Sequence, residues 1–407
     1  MNNPGLTLKE LQKSGILLPQ EEMLEIGRRS ARIHIGIPKE TSYQENRVPL
    51  VPSAVALLTS YGHQVMIEAD AGKNANFQDK DYSEAGAQIV YSKEDVYKAD
   101  IIIKVSPPTE EEIELMRPKQ VLFSAVQVST QYGNIIRRLA NKKITAIAFN
   151  YFKDESGVYP VVRSMGEIAG STAILIAAEY LSNVNDGKGL MLGGVTGIPP
   201  IEIVIIGAGI VGENAARAAL GLGAEVKIFD NSLARLGRLK SSLGNMPVFT
   251  CLIQQEELAR RLTSADVVIG ALRAPEGRTP CVITEQMVSD MKYGSVIVDV
   301  SIDQGGCFET SQVTNHTNPV FKKYGVTHYC VPNIASRVAH TASIALSNIF
   351  APVFIHIGEE GGLDKYLINH PFPRCGVYLY NGMLTNKFFG EMYGIPYKDL
   401  DLLMAAM

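Results

Sequence analysis

Residues 201–230 read IEIVIIGAGIVGENAARAALGLGAEVKIFD. Ile203 to Ile206 have the unbroken apolar character of a strand buried on both faces of a parallel sheet, and they run straight into Gly207-Ala208-Gly209-Ile210-Val211-Gly212. An amphipathic helix follows, then a second strand, Glu225 to Phe229, that ends on an acid, Asp230. Each glycine has a mechanical reason to be there. Gly207 permits the tight strand-to-helix turn, Gly209 leaves room for a pyrophosphate to reach the backbone, and Gly212 lets the helix lie close on the sheet. The free amides and positive dipole end of that helix face the pyrophosphate. Asp230 stands where a carboxylate accepts hydrogen bonds from the adenosine ribose hydroxyls. A glycine pattern alone also occurs in structural turns, but here strand, turn, helix, strand and terminal acid agree, so the stretch is read as a dinucleotide site. A 2′-phosphate beside Asp230 would meet repulsion of up to ~4 kcal/mol per charge pair. NAD is therefore expected rather than NADP, with Arg235 and Arg238 read as lying on a solvated helix face.

The alternation of short apolar runs with helical segments continues on both sides. Strands are expected at Arg32 to Ile37, Gln64 to Glu68, Gln88 to Val90, Ile101 to Val105, Val121 to Val126 and Thr145 to Ala148, and again at Val267 to Gly270 and Ser295 to Val300. This order predicts α/β architecture with parallel sheets covered on both faces. Two long apolar segments, Ile168 to Leu181 and Ala339 to Phe354, flank the nucleotide unit. The expectation is two doubly wound, Rossmann-like domains, mainly parallel, separated by an active-site cleft and joined by two long helices. Residues 1–31 are read as a helical extension, 32–164 and 339–407 as a discontinuous substrate domain, and 165–338 as the NAD-binding domain. Ligands are expected in the cleft, at the carboxyl ends of the strands.

A net charge of −4 in 407 residues, with no cluster of Lys and Arg, argues against nucleic-acid binding. The five cysteines show no C-x-x-C pair and no metal-ligand spacing, which points to reduced thiols and no metal site. The first thirty residues carry Lys-Glu, Gln-Glu-Glu and Arg-Arg among their apolar positions, so no signal peptide is expected. No stretch of about twenty apolar residues free of charge is anticipated, hence no membrane span. A cytoplasmic enzyme is the expectation.

Several further motifs occur in one order: Ile35-Gly36-Ile37-Pro38-Lys39-Glu40 with Glu45-Asn46-Arg47-Val48, Lys104-Val105 after a strand, Met165-Gly166-Glu167-Ile168-Ala169-Gly170, Leu192-Gly193-Gly194-Val195, and Val298 to Gly306. Together they resemble the alanine dehydrogenases and the NAD-binding part of proton-translocating transhydrogenases, from about Ile33 to Pro396. The resemblance implies NAD-dependent deamination of a small L-amino acid, L-alanine first, to pyruvate and ammonium, in a homohexamer. It also implies roles for Ile302 and Asn333 beside the nicotinamide, and for Asp303 at the reacting centre.

The residues themselves support such chemistry. A 2-oxo acid needs a cation for its carboxylate, and the planar fork of Arg47 suits that role. Lys104 ends a run of isoleucines and is expected to project its ammonium at the carboxyl edge of the sheet, polarising a carbonyl or acting as a base. Asp303, as a carboxylate, suits the substrate ammonium; Asp299 is read as structural. Where the resembling dehydrogenases carry a histidine, this chain has Gln127, which hydrogen-bonds but exchanges no proton near neutral pH. Proton transfer then falls to Lys104 or a water, with His340 the nearest histidine to a family motif. Gly166 is a second departure, standing where serine is usual. A transhydrogenase-like subunit is the alternative function, although Asp154 to Pro160 lacks that group's Arg-Ala-Gln loop. A catalytically weak nucleotide sensor is the third reading, prompted by Gln127.

Overall fold

The computed structural model describes residues 31–126, 132–274 and 277–405. Gln127 and all but Ala31 of the expected helical extension fall outside these residues. The opening strands are β1 (His34–Ile37), β2 (Gln64–Glu68), β3 (Gln88–Val90), β4 (Ile101–Ile103), β5 (Val121–Ser124) and β6 (Thr145–Ala148). Then come β7 (Glu202–Ile206), β8 (Glu225–Asp230), β9 (Val248–Leu252), β10 (Val267–Gly270), β11 (Val296–Asp299), β12 (Val320–Lys323) and β13 (Val326–Tyr329). The chain closes with β14 (Val377–Tyr380) and β15 (Met383–Leu384).

They form two sheets, ordered β15-β14-β6-β5-β4-β1-β2-β3 and β12-β13-β11-β10-β7-β8-β9. Each contains the doubly wound order in which a central pair, β1 with β4 and β7 with β10, marks the point where the winding reverses. All pairings are parallel except at one margin of each sheet, where β14 runs antiparallel to β6 and to β15, and β12 antiparallel to β13. The central strands are buried throughout, as β4 (III) and β10 (VVIG) show. This is why they read as unbroken apolar runs rather than as alternation.

Two long helices, Pro160–Leu181 and Ala339–Glu359, connect the sheets. Residues 338–357 contain no Asp, Glu, Lys or Arg, contrary to the sequence expectation that no such stretch exists. By length and composition alone both helices would reach across a bilayer, yet half or more of each apolar window is buried within this fold. The Ala339–Glu359 helix places Leu346, Phe350 and Phe354 in the core of the first sheet, and the Pro160–Leu181 helix places Ala173, Ile176 and Ala177 in that of the second. Apolar length here serves two cores.

Candidate active site

The nucleotide loop follows β7. Gly207 adopts a positive φ of 112°, and the Ile210–Gly221 helix begins at once, with Gly209 as its extended N-cap. A Cβ on Gly212 would lie 1.8 Å from the Gly207 carbonyl oxygen, so the turn closes only around a glycine. A Cβ on Gly209 would meet nothing within 4 Å. That open space above the first turn of a twelve-residue helix is what a pyrophosphate requires, so the residues fit a dinucleotide. The Pro160–Leu181 helix presses on this element from behind: a Cβ on Gly170 would stand 2.3 Å from the Val211 carbonyl, and one on Gly166 would stand 3.2 Å from an Ile210 methyl. A serine at 166 would crowd the helix start.

Asp230 ends β8 and points back at the loop. Its carboxylate accepts the amides of Ala208 and Ser232, each at 2.8 Å. Arg235 donates to it from Nε at 3.0 Å and from Nη2 at 2.8 Å. This corrects the expectation for Arg235, which leaves its helix face to seal the acid; one helical turn from the N-cap is short enough for the guanidinium to reach back. Burial opposes ionisation of Asp230, but the Arg235 bonds and the two amides outweigh it and hold the acid below its ordinary range.

At the switch point of the first sheet, the loop after β1 carries Glu40, Glu45 and Arg47, and Lys104 follows β4. The Lys104 side chain is fully buried. Its ammonium lies 2.7 Å from Glu112 and 3.6 Å from Glu40. The sequence led us to expect an ammonium projecting at the sheet edge; instead two carboxylates enclose it. Glu112 comes from the Glu110–Leu115 helix, whose capping box with Thr109 turns this one acid of an acidic run inward. Thr41 Oγ1 donates to Glu112 at 3.2 Å, and Lys93 lies 3.7 Å away. Burial works against the charge on Glu112, but Lys104 prevails and holds it below the ordinary range.

Glu40 differs. It accepts the backbone amides of Val105 and Ser106. Even so, burial raises its pKa from 4.5 to about 7, with Lys104 opposing and the charges of Glu45 and Glu112 adding to the rise. Folded Glu40 thus keeps its proton up to about pH 7, whereas the unfolded chain releases it near 4.5. Its contribution to stability is fully present below the unfolded value and is lost as pH rises through about 7. At ~1.4 kcal/mol per unit this is worth about 3 kcal/mol. Glu40→Gln, which cannot ionise, should therefore gain on wild type by on the order of 2–3 kcal/mol between pH 5 and pH 8. Urea unfolding of both proteins at the two pH values measures this, and an unchanged gap would refute the assignment.

Arg47 and Glu45 form a second pair. Arg47 donates Nε to one Glu45 oxygen at 2.7 Å and Nη2 to the other at 2.6 Å, and its Nη1 lies 3.4 Å from the Met165 sulfur. One edge of the guanidinium is therefore committed to Glu45, leaving the Nη1–Nη2 edge for a ligand. In the second sheet, Asp303 sits in the tight turn Val300–Gln304 beyond β11, next to the buried Ile302. Asp303 is exposed to solvent, yet the desolvation imposed by nearby protein raises its pKa, with the Asn333 amide and the Arg47 charge opposing. Asp299 shapes this turn, accepting from Ser301 N, Cys307 N and Ser311 Oγ at 3.0, 3.1 and 2.6 Å. Asn333, in the left-handed region at φ 58°, donates its backbone N–H to Asp303 at 2.8 Å and its side-chain amide to Glu45 at 2.7 Å.

Taken together, a glycine-loop dinucleotide fold in one unit and a fully buried cation at the switch point of the other sheet are joined through the chain of contacts Arg47–Glu45–Asn333–Asp303. Models of the alanine dehydrogenase/PNT N-terminal and C-terminal domains match residues 36–169 and 173–387. The chain belongs to that family. An alanine dehydrogenase of Staphylococcus epidermidis is 38% identical over 368 residues, covering 90% of this chain and 98% of its relative. Alanine dehydrogenase 2 of Staphylococcus aureus matches to the same extent. Among solved structures, an L-alanine dehydrogenase superposes with a TM-score of 0.83 at 37% identity, covering 88% of this chain and 99% of that one. A transhydrogenase from Sinorhizobium meliloti gives 0.73 at 26%, covering 87% and 99%.

Within this alanine dehydrogenase-type site, Glu40, Glu45 and Glu112 went unrecognised in the sequence. His340, the histidine nearest a family motif, is held by residues 75–77: its Nδ1 lies 2.8 Å from the Ala75 carbonyl oxygen, and its ring stacks on Phe77 at 4.4 Å. Arg163 pairs with Glu167 one helical turn on, at 3.0 Å. Among the described residues no group of three or more His, Cys, Asp or Glu is placed to hold a metal ion.

Proposed function

We propose that this protein catalyses the reversible, NAD-dependent oxidative deamination of L-alanine to pyruvate and ammonium. The observation that carries this reading is the hydrogen-bonded line Arg47, Glu45, Asn333, Asp303, which ties a guanidinium on the first unit to a carboxylate on the unit that carries the dinucleotide loop. Residues 32–164 and 339–407 form the substrate side and 165–338 the nucleotide side. Gly207, Gly209 and Gly212 cradle the pyrophosphate, Asp230 takes the adenosine ribose in place of Arg235, and Ile302, Asp303 and Asn333 border the nicotinamide. Bound NAD supplies the hydride acceptor.

The rest falls to the chain's own side chains. The free edge of Arg47 binds the substrate carboxylate in a planar pair. Lys104 keeps its short contact with Glu112 and gives up the loose one with Glu40, which presents its ammonium to the carbonyl oxygen. Asp303 holds the substrate ammonium and, in the reverse direction, stabilises the cationic carbon–nitrogen centre. Gln127 contributes a hydrogen bond and no proton. A homohexamer in the cytoplasm is the proposed working form.

Alanine-dependent formation of NADH by the purified protein is the direct test. Its absence, with NADH binding intact, would favour the sensor reading. Arg47→Lys keeps the charge but cannot serve Glu45 and a carboxylate at once, so it should weaken apparent pyruvate binding by ~1–3 kcal/mol. NADH affinity without oxo acid should hardly move. A Michaelis constant equal to wild type would remove Arg47 from the site.

A further inference from the structure

Glu45 occupies a position that neither half of the cleft explains alone. Its side chain is 4% exposed. On one side it takes Arg47 through Nε, Nη2 and the backbone N–H, at 2.7, 2.6 and 3.1 Å. On the other it takes the side-chain amide of Asn333, 288 residues away, at 2.7 Å. The same Asn333 gives its backbone N–H to Asp303. The seam around Glu45 is stitched by neighbours: Ser336 Oγ receives the Asn46 amide and donates to the Gln44 carbonyl, while the Gln44 side chain reaches Thr317 Oγ1 and accepts the His316 amide. These neighbours fasten the loop after β1 to the second unit. Among the described residues, Glu45 is the one hydrogen-bonded to both the Arg47 guanidinium and the Asn333 side chain.

We propose that Glu45 is a positioning residue that couples oxo-acid binding at Arg47 to nicotinamide binding at Asn333, so that each ligand tightens the other. The coupling rests on the roles assigned to Arg47 and Asn333 above. Its physical basis is a shared acceptor. A carboxylate ligand on the free edge of Arg47 fixes the guanidinium, which fixes Glu45, which sets the Asn333 side chain where a nicotinamide carboxamide needs it. Ordering that amide once serves both ligands, so the second to bind loses less freedom. Glu112 does the corresponding work for Lys104 within one sheet; Glu45 does it across two.

The test is equilibrium binding with the whole protein. NADH affinity is titrated by nicotinamide fluorescence with and without saturating pyruvate, in ammonium-free buffer where amination cannot proceed. Wild type should bind NADH on the order of ten-fold more tightly with pyruvate present, within the range usual for coupled sites. Glu45→Gln keeps the shape but loses the charge, and should bring that ratio, taken against the variant's own NADH affinity without pyruvate, to within about two-fold of unity. Asn333→Gly preserves the left-handed backbone and its N–H to Asp303, removes only the amide, and should abolish the ratio as well. The double variant should lose nothing further, as expected for two residues in one link. A ratio that persists in Glu45→Gln, additive losses in the double variant, or no pyruvate effect in wild type would overturn the proposal. Should Glu45→Gln fail to fold, Asn333→Gly alone decides, because a ratio that survives it breaks the link from the other end. If Arg47→Lys leaves pyruvate binding untouched, the reading of Arg47 fails instead.

Discussion

Lys104→Ala should abolish turnover and also lower the unfolding free energy, by about 3–5 kcal/mol, because it strips the counterion from buried carboxylates. Glu112 is held by Thr109, Thr41 and Lys104 with its side chain fully buried, and after the substitution Lys93, at 3.7 Å, is the one cation left in contact among the described residues. Glu40 escapes more easily, since it takes up a proton near pH 7. The stability loss should therefore be larger at pH 8 than at pH 5. NADH binding, which belongs to the other sheet, should survive. Adding Glu112→Gln should recover part of the stability and none of the turnover, separating the structural role of the lysine from its chemical one. A Lys104→Ala protein as stable as wild type would mean that the pair is not the tight contact described.

The second large effect is expected at Gly212. An alanine Cβ there would sit 1.8 Å from the Gly207 carbonyl oxygen, and both groups are backbone of one turn, so no side chain can move aside. The turn has to open, the amides at the start of the Ile210–Gly221 helix lose their aim, and saturable NADH binding should vanish together with several degrees of melting temperature. Gly209→Ala is the informative contrast. Its Cβ meets no protein atom within 4 Å, so the fold should melt as wild type does. Affinity should nevertheless fall, by the ~1–3 kcal/mol that an intruding methyl costs in a filled site. Fluorescence titration beside thermal melting resolves the pair. If Gly209→Ala binds NADH normally, the open space beside it is not where the pyrophosphate lies.

The buried parallel strands were legible because each is a short apolar run between turn residues; β2, β3, β6 and β10 match residue for residue. The margins, β3 apart, were not. β9 exposes Phe249 and Leu252, β12 is half-buried Val-Phe-Lys-Lys, and β14 is defined by a partner, β6, that lies more than two hundred residues earlier, with β15 added to β14. Neither apolar continuity nor alternation marks such segments. The candidate site divides along the same line. Arg47, Lys104 and Asp303 stand in local motifs that single them out, although the Lys104 ammonium lies between two carboxylates rather than at the open sheet edge. Glu112 sits in Glu-Glu-Glu-Ile-Glu-Leu, a run that reads as a solvated helix, and only the capping box reveals which acid turns inward. Arg235 looked like one more surface cation until its reach back to Asp230 was visible. The contact between Glu45 and Asn333 joins units that share no local sequence signal.

The return of the chain to its first sheet sets an order of events during synthesis. β6 pairs on one side with β5, made earlier, and on the other with β14, which leaves the ribosome only after the whole β7–β13 sheet has been made. An unpaired strand edge of this kind is a template for pairing with other chains. The nucleotide-binding sheet, in contrast, is contiguous and has all its strands to hand as soon as β13 emerges. The unit synthesised second is thus able to finish first, while the opening unit waits with an open edge for its closing hairpin.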